Sequence, residues 1–244
     1  MGSNIFSVLC VQGGEAGRNI SLKLLRTFSE KLRMRTVYIP AGVIFDDIGD
    51  YSLTELYYDY SKGRVPKMDE FSMAEIIRPF NCFAETVEIT DENYFEFVLF
   101  IAKMFEIAVL NIGRISSELI VKFMKSSMTV AVVIDCGQKG YIGCFENFMR
   151  NLKLLWKINR EEGNEILHNL SKFIFVISNG GEMEKSVINE IAVRETQQQI
   201  SFMEQIYLVE ENLMGSGRLV GKRGRNILNL KNIFIKKAGM ANDK

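Results

Sequence analysis

Apolar positions along this chain fall into two rhythms. Nearly unbroken apolar runs occupy residues 5–11 (IFSVLCV), 36–39 (TVYI), 107–112 (IAVLNI), 129–134 (TVAVVI) and 173–177 (FIFVI). Their length and β-branched content suit strands buried on both faces, as in a parallel sheet. Between them the apolar residues recur at helical spacing. Leu22, Leu24, Leu25 and Phe28 predict a helix over about 18–32, and Leu53, Leu56, Tyr57 and Tyr60 predict one that starts at an N-cap Ser52, with Glu55 completing a capping box. Ser72 and Glu75 offer a second such box before a helical turn at 73–77. Residues 83–89 read as a strand, and Asp91 as the cap of a helix reaching about Met104. Further helices are expected from Ser116 and Ser117 to about Lys125, over about 144–159, around 166–170 and over 186–195. A last strand is expected within 202–209. The stretch 226–237 reads as a terminal helix, although Ile233 to Ile235 leaves a strand open.

Strands that alternate with helices predict an α/β fold: a mostly parallel sheet with helices on both faces. Three prolines and no low-complexity linker predict a single domain over 1–244 with a basic C-terminal helix at 226–237. In such sheets ligands gather at the carboxyl ends of the strands. Here those ends are Gln12-Gly13, Pro40-Ala41, Asn111 to Gly113, Asp135 to Gly137 and Ser178 to Gly180.

Composition narrows the function classes. Thirty basic residues balance thirty acidic ones, so no global field draws the chain to nucleic acid, and no specific nucleic-acid partner is expected. The cysteines Cys10, Cys82, Cys136 and Cys144 form no CxxC pair, and the single His168 has no partner at ligand spacing. No metal site is expected, and the cysteines read as small hydrophobes in a reducing compartment. The N-terminus has no signal-peptide pattern and no run reaches the roughly 18 apolar residues of a membrane span. The expected location is cytoplasmic.

The most informative stretch is the turn after the first strand, QGGEAGRN. A strand, a glycine-rich turn and a helix make the outline of a phosphate-binding loop, in which glycines let amides curl round phosphate, a Lys neutralises it, and a Ser or Thr hydroxyl holds magnesium. Gly13, Gly14 and Gly17 keep the glycines. Arg18 stands at the Lys position, where its planar fork is a poor substitute. Asn19 stands at the hydroxyl position, unless Ser21 serves after a shift in register. Glu15 adds a negative charge. The acid that would hold magnesium at a neighbouring strand end is also missing: Pro40-Ala41-Gly42 ends one strand, and Asn111 lies near the end of another. The nearest acids in sequence are Asp46, Asp47 and Asp50. Asp135-Cys136 lacks a nearby base for nucleophilic chemistry.

Over about 5–179 the chain resembles the ParA/MinD superfamily of P-loop ATPases, and within it the TadZ/CpaE group that localises Flp/Tad pilus machinery. The resemblance rests on GGEAGRN, TVYIPAG, YSLTELYYD, FEIAVLNIG for the Walker B strand, TVAVVID and FIFVISNGG. It implies that Gly13, Gly14, Gly17, Arg18 and Asn19 surround phosphates and that Asn179 lies near the base of ATP, bound with or without Mg. It also implies a homodimer working with proteins of a pilus or secretion machinery. The family's early signature Lys is replaced by Gln12 or Gly13, its second Lys by Arg18, and its Walker B Asp by Asn111. The expected function is therefore a positioning scaffold with weak or absent hydrolysis and no catalytic residue. The alternatives are an active ATP switch using Arg18 with Asp46 or Asp47, and an interaction module with a vestigial loop. In the C-terminal segment, Lys222, Arg223, Arg225, Lys231, Lys236 and Lys237 accompany Ile227, Leu230 and Phe234. A basic amphipathic helix of this kind can touch the inner face of a membrane, or simply close the sheet.

Overall fold

A computed structural model describes residues 4–42, 49–69, 72–79, 90–158, 172–196 and 203–209. They form two compact units. The first contains residues 1–9 and 17–128, and the second contains 10–16 and 129–244.

In the first unit the strands are β1 (Ile5–Cys10, all but its last residue), β2 (Thr36–Ala41), β3 (Tyr51–Ser52), β4 (Ala74–Arg78) and β5 (Ile107–Ile112). They lie in the order β3-β4-β2-β5-β1, and every pairing among them is parallel. The register sets Val8 opposite Asn111 and Pro40 opposite Asn111 on its other side. The strand interiors are buried throughout, which explains runs without alternation.

Helix α1 (Glu15–Arg26) continues into a π turn at Thr27–Lys31 and packs Phe28 on Phe6, ring centroids 4.9 Å apart. Helix α2 (Leu53–Ser61) begins at Ser52, whose hydroxyl accepts from Thr54 N. Helix α3 (Asp91–Lys103) is capped by Thr90, which accepts from Asn93 N, and not by Asp91, which is already helical. Phe97 of α3 receives Tyr57 edge-on at 5.2 Å. Helix α4 (Ser117–Ser126) starts at Ser116, as its sequence predicts.

The expected helical turn at 73–77 is instead β4. The hydroxyl of Ser72 donates to Ala74 O rather than capping a helix. Ile77 is buried and Ala74 exposed, the alternation of a strand near a sheet edge. The predicted strand at 83–89 lies outside the described residues.

The second unit holds β6 (Thr129–Asp135), β7 (Phe173–Ser178) and β8 (Ile206–Val209), again with parallel pairings. Helix α5 (Tyr141–Ile158) lays Phe145 edge-on against Phe175 of β7. Helix α6 (Glu182–Thr196) is tied to α5 by Arg194, which pairs with Glu146 at 2.6 Å. The expected helix at 166–170, His168 and the terminal segment 226–237 lie outside the described residues. No helix among the described residues is long and apolar enough to cross a membrane.

Candidate functional site

The residues that lead into the glycine turn are held by the second unit. Val11 N donates to Val133 O at 3.0 Å, and Gly13 N to Cys10 O at 3.1 Å. Gly13 and Gly14 then take φ values of 74° and 92°, the left-handed region in which a side chain is strained. The two glycines are therefore required by the backbone and not merely tolerated.

Gln12, which with Gly13 is one of the two positions where the resemblance places a signature Lys, makes a two-way bond to the backbone of Asp135. Its Nε2 donates to Asp135 O at 3.0 Å, and its Oε1 accepts from Asp135 N at 3.2 Å. A primary amide can supply both a donor and an acceptor, which a Lys ammonium cannot.

Asp135, at the end of β6, is 9% exposed. Its Oδ1 accepts from Gly137 N at 3.0 Å and from Asn179 Nδ2 at 3.1 Å, while its Oδ2 accepts from Gln138 Nε2 at 3.0 Å. A buried carboxylate is tolerated because N–H donors replace its water shell. Gln138 was not singled out by sequence reasoning. A methyl group on Gly14 would lie 3.5 Å from its Nε2, so it borders the glycine turn. Nothing in its spacing signals that role, since the contact depends on the turn after β6.

Asn179, the expected base-contacting residue, directly follows β7 with φ 55°, a conformation in which Asn is enriched. The carbonyl of Ser178 beside it accepts from Cys136 N. Gly180 has to be glycine for room, because a methyl there would sit 2.6 Å from Ile177 Cγ2 and 3.2 Å from Cys136 Sγ. Burial, then the charges of Glu184 and Asp135, push the Cys136 thiol up to about 12. It is a protonated thiol at neutral pH and no nucleophile. Glu184 is held below the usual carboxylate range by the N–H of Gly181.

Gly17, Arg18 and Asn19 lie in the first turn and a half of α1, in the first unit. Gly17 is buried, Arg18 and Asn19 are half-buried, and Glu15 is exposed. Ser21 is fully buried and its hydroxyl donates to Gly17 O at 2.8 Å. The hydroxyl keeps its lone pairs, but its full burial does not favour the register-shifted magnesium hydroxyl.

In the same unit, Asn111 of β5 is 5% exposed and its Nδ2 donates to the Tyr38 hydroxyl at 3.0 Å. The position where the resemblance expects an acid is a closed neutral pair. Asp46 and Asp47 lie outside the described residues. Among the described residues, no group of three or more His, Cys, Asp or Glu is placed to hold a metal. Gly13 and Gly14 carry the left-handed backbone that a phosphate-binding turn uses, whereas Asn111 lacks the charge of the family's magnesium-binding acid.

A parallel α/β fold with a glycine turn between its first strand and first helix is the fold of the ParA and MinD ATPases. No protein-family model matches the chain, and no curated protein matches it. Solved structures do. A ParA family ATPase from Chlorobium tepidum matches with TM-score 0.61 and 12% identity, over 98% of this chain and 94% of that one. The septum site-determining protein MinD of Pyrococcus horikoshii, complexed with Mg-ADP, matches with TM-score 0.61 and 14% identity, over 98% and 99%. The MinC:MinD cell division complex of Aquifex aeolicus matches with TM-score 0.52 and 12% identity, over 97% and 90%.

Proposed function

We propose that this chain is a MinD/ParA-like positioning scaffold for a pilus or secretion assembly, akin to the TadZ/CpaE group, that binds ATP as a homodimer and hydrolyses it too slowly to matter. One observation carries the loss of hydrolysis. Asn111, buried at the end of β5, is neutral and spends an amide hydrogen on Tyr38. A nucleotide-hydrolysing site needs an anionic ligand for magnesium at such a strand end. The buried Ser21 hydroxyl bonded to Gly17 O agrees with that reading.

Retention of nucleotide rests on the left-handed Gly13 and Gly14, the helix N-terminus behind them, Arg18, and Asn179 at the end of β7. The Mg-ADP complex of the horikoshii MinD and the MinC:MinD assembly support a nucleotide and a protein partner here by analogy. The basic segment around 222–237 would supply contact with an anionic membrane face.

Calorimetry with ATP, with and without magnesium, tests the reading beside a phosphate-release assay. The expected result is binding little altered by magnesium, with no measurable turnover. Magnesium-dependent turnover abolished by Arg18→Ala would replace it with the active switch. No heat and no thermal shift with ATP would leave the interaction module.

A further inference from the structure

The buried face of β4 carries a carboxylate. Along the strand Ala74 is exposed, Ile76 and Arg78 are half-buried, and Glu75 and Ile77 are buried. Glu75 is 3% exposed, and its neighbour across the ladder on β2 is the fully buried Val37. A carboxylate in that position has lost most of its water and is costly to ionise unless it is paired.

Its surroundings do not pair it. The cation that acts on Glu75 is Arg35, just before β2. Arg35 donates from Nη1 to Met104 O at 3.2 Å and from Nη2 to Asp69 O at 3.0 Å, and it covers the Phe105 ring at 4.7 Å. Its Nε is buried and has no hydrogen-bond partner among the described residues. The acids that act on Glu75 are Asp69, after α2, and Asp50, before β3. The Tyr51 hydroxyl accepts from Asp69 N at 2.9 Å, and Glu106 accepts from Arg35 N at 2.7 Å. Burial raises the Glu75 carboxyl above the ordinary carboxylate range. A hydrogen bond from Ser72 opposes this, the charges of Asp69 and Asp50 add to it, and the charge of Arg35 opposes it.

Ser72 links this carboxyl to the backbone of the strand. Its hydroxyl donates to Ala74 O at 3.0 Å, and a hydroxyl has a single hydrogen to give. An ionised Glu75, which only accepts, competes with Ala74 O for that hydrogen. A protonated Glu75 donates to the Ser72 oxygen instead, and Ser72 keeps its own hydrogen for Ala74 O. The chain from Glu75 through Ser72 to Ala74 is then satisfied at each step.

We propose that Glu75 is a proton-sensitive latch on the β3–β4 edge of the first unit: proton uptake completes the hydrogen-bond chain to Ala74 and tightens residues 62–69 and 74–78, and proton release loosens them. The segment 62–69 follows because the ionised carboxylate repels Asp69, whose backbone is held here by the Tyr51 hydroxyl and Arg35 Nη2. The sign is that of any carboxyl raised by folding. Its contribution to stability is complete below the unfolded pKa and is lost as pH rises through the folded one. The latch does not depend on nucleotide binding.

Hydrogen exchange of the full chain, corrected for intrinsic rates and followed from about pH 4.5 to about pH 8, tests it. Peptides covering 62–69 and 74–78 are expected to lose protection as pH rises. The loss is about tenfold in all for each pH unit between the unfolded and folded midpoints of Glu75. Peptides of β6 are expected to show no such trend. Glu75→Gln carries no charge and keeps a donor for the Ser72 oxygen, so it is expected to hold the acid-side protection at every pH.

Should Glu75→Gln not fold, the carboxyl carbon of Glu75 in the unmodified protein, assigned by NMR through its own side-chain bonds, gives a second readout. It is expected to titrate above the ordinary value of about 4.3, at the midpoint of the protection change. Flat protection over both peptides, the same fall in Glu75→Gln, an equal fall in β6, or a carboxyl midpoint at or below the ordinary value would each overturn the latch. None of these outcomes touches the nucleotide reading.

Discussion

Two strand ends in this protein solve the same problem in opposite ways. At the end of β5, in the first unit, Asn111 lies buried with its amide on the Tyr38 hydroxyl, and the pair carries no charge. At the end of β6, in the second unit, Asp135 keeps a carboxylate at 9% exposure and stabilises it with three N–H donors. The first arrangement offers a divalent cation no anionic oxygen. The second retains charge but satisfies it internally, with both Asn179 and Gln138 drawn to it. The β5 end is neutral, whereas the β6 end keeps an acid that orders neighbouring side chains.

The sharpest way to break the contrast is to put the acid back. Asn111→Asp would bury an anion where the present partner, Tyr38, offers a single hydroxyl. An unpaired buried charge of this kind costs roughly 2–4 kcal/mol, which corresponds to a fall in thermal midpoint of roughly 5–15 °C for a chain of this size. Differential scanning calorimetry checks it. If the variant keeps its midpoint and gains magnesium-dependent phosphate release, then Asn111 sits in a site that was ready for metal, and the contrast between the two ends disappears.

The other end is tested through its crowding. Gly180→Ala places a methyl 2.6 Å from Ile177 Cγ2 and 3.2 Å from Cys136 Sγ. Ile177 lies on β7 and Cys136 in the turn after β6, so the strain is not relieved by one flexible side chain. The expected loss is about 1–3 kcal/mol, read from chemical denaturation. Gly63→Ala provides no such clash, since nothing lies near its missing Cβ, although its φ of 70° keeps it from being a neutral control.

How far the sequence foretold these two ends follows from the range of the forces involved. The strands were legible because a strand covered on both faces needs an unbroken apolar run, as TVAVVI and FIFVI show. The caps at Ser52 and Ser116 were legible because capping acts over three residues. The same local logic failed at Ser72 and Glu75, where spacing suited a capping box but pairing of β4 with β2 decided the backbone. Gly13, Gly14 and Asn179 could be singled out from type and position, and all three have positive φ. Gln138 could not. Neither could the grip of Gln12 on Asp135, which joins residues 123 apart in the chain.

That grip makes the next, smaller test. Gln12→Ala removes a donor and an acceptor at once, leaving Asp135 O and N without this partner. Gln12 is half-buried, so water can replace part of what is lost. The expected cost is about 1–2 kcal/mol, seen as a lower denaturation midpoint with an unchanged denaturant slope. A variant as stable as the parent would mean that the Gln12 bonds are incidental, and the Asp135 network would then rest on its carboxylate donors alone.

The smallest expected effect concerns Cys136, and it separates burial from charge at the β6 end. Its thiol is pushed up to about 12, first by burial, then by Glu184 and last by Asp135. An ordinary thiol ionises near 8.5, so between about 8.5 and 12 the folded chain holds a proton that the unfolded chain has released. The sign follows: this group's contribution to stability is complete below that window and declines as pH rises through it. For labelling, the thiolate fraction at pH 8 is about one in ten thousand. Alkylation of Cys136 by iodoacetamide, followed by peptide mass spectrometry, should therefore be slow and should keep rising about tenfold per pH unit up to pH 10. A plateau near pH 9 would show that burial does not dominate. Asp135→Asn removes only the last-ranked of the three causes, so the profile in that variant should move slightly toward lower pH. A large move would make the Asp135 charge, and not the packing around Gly180, the main control of this thiol.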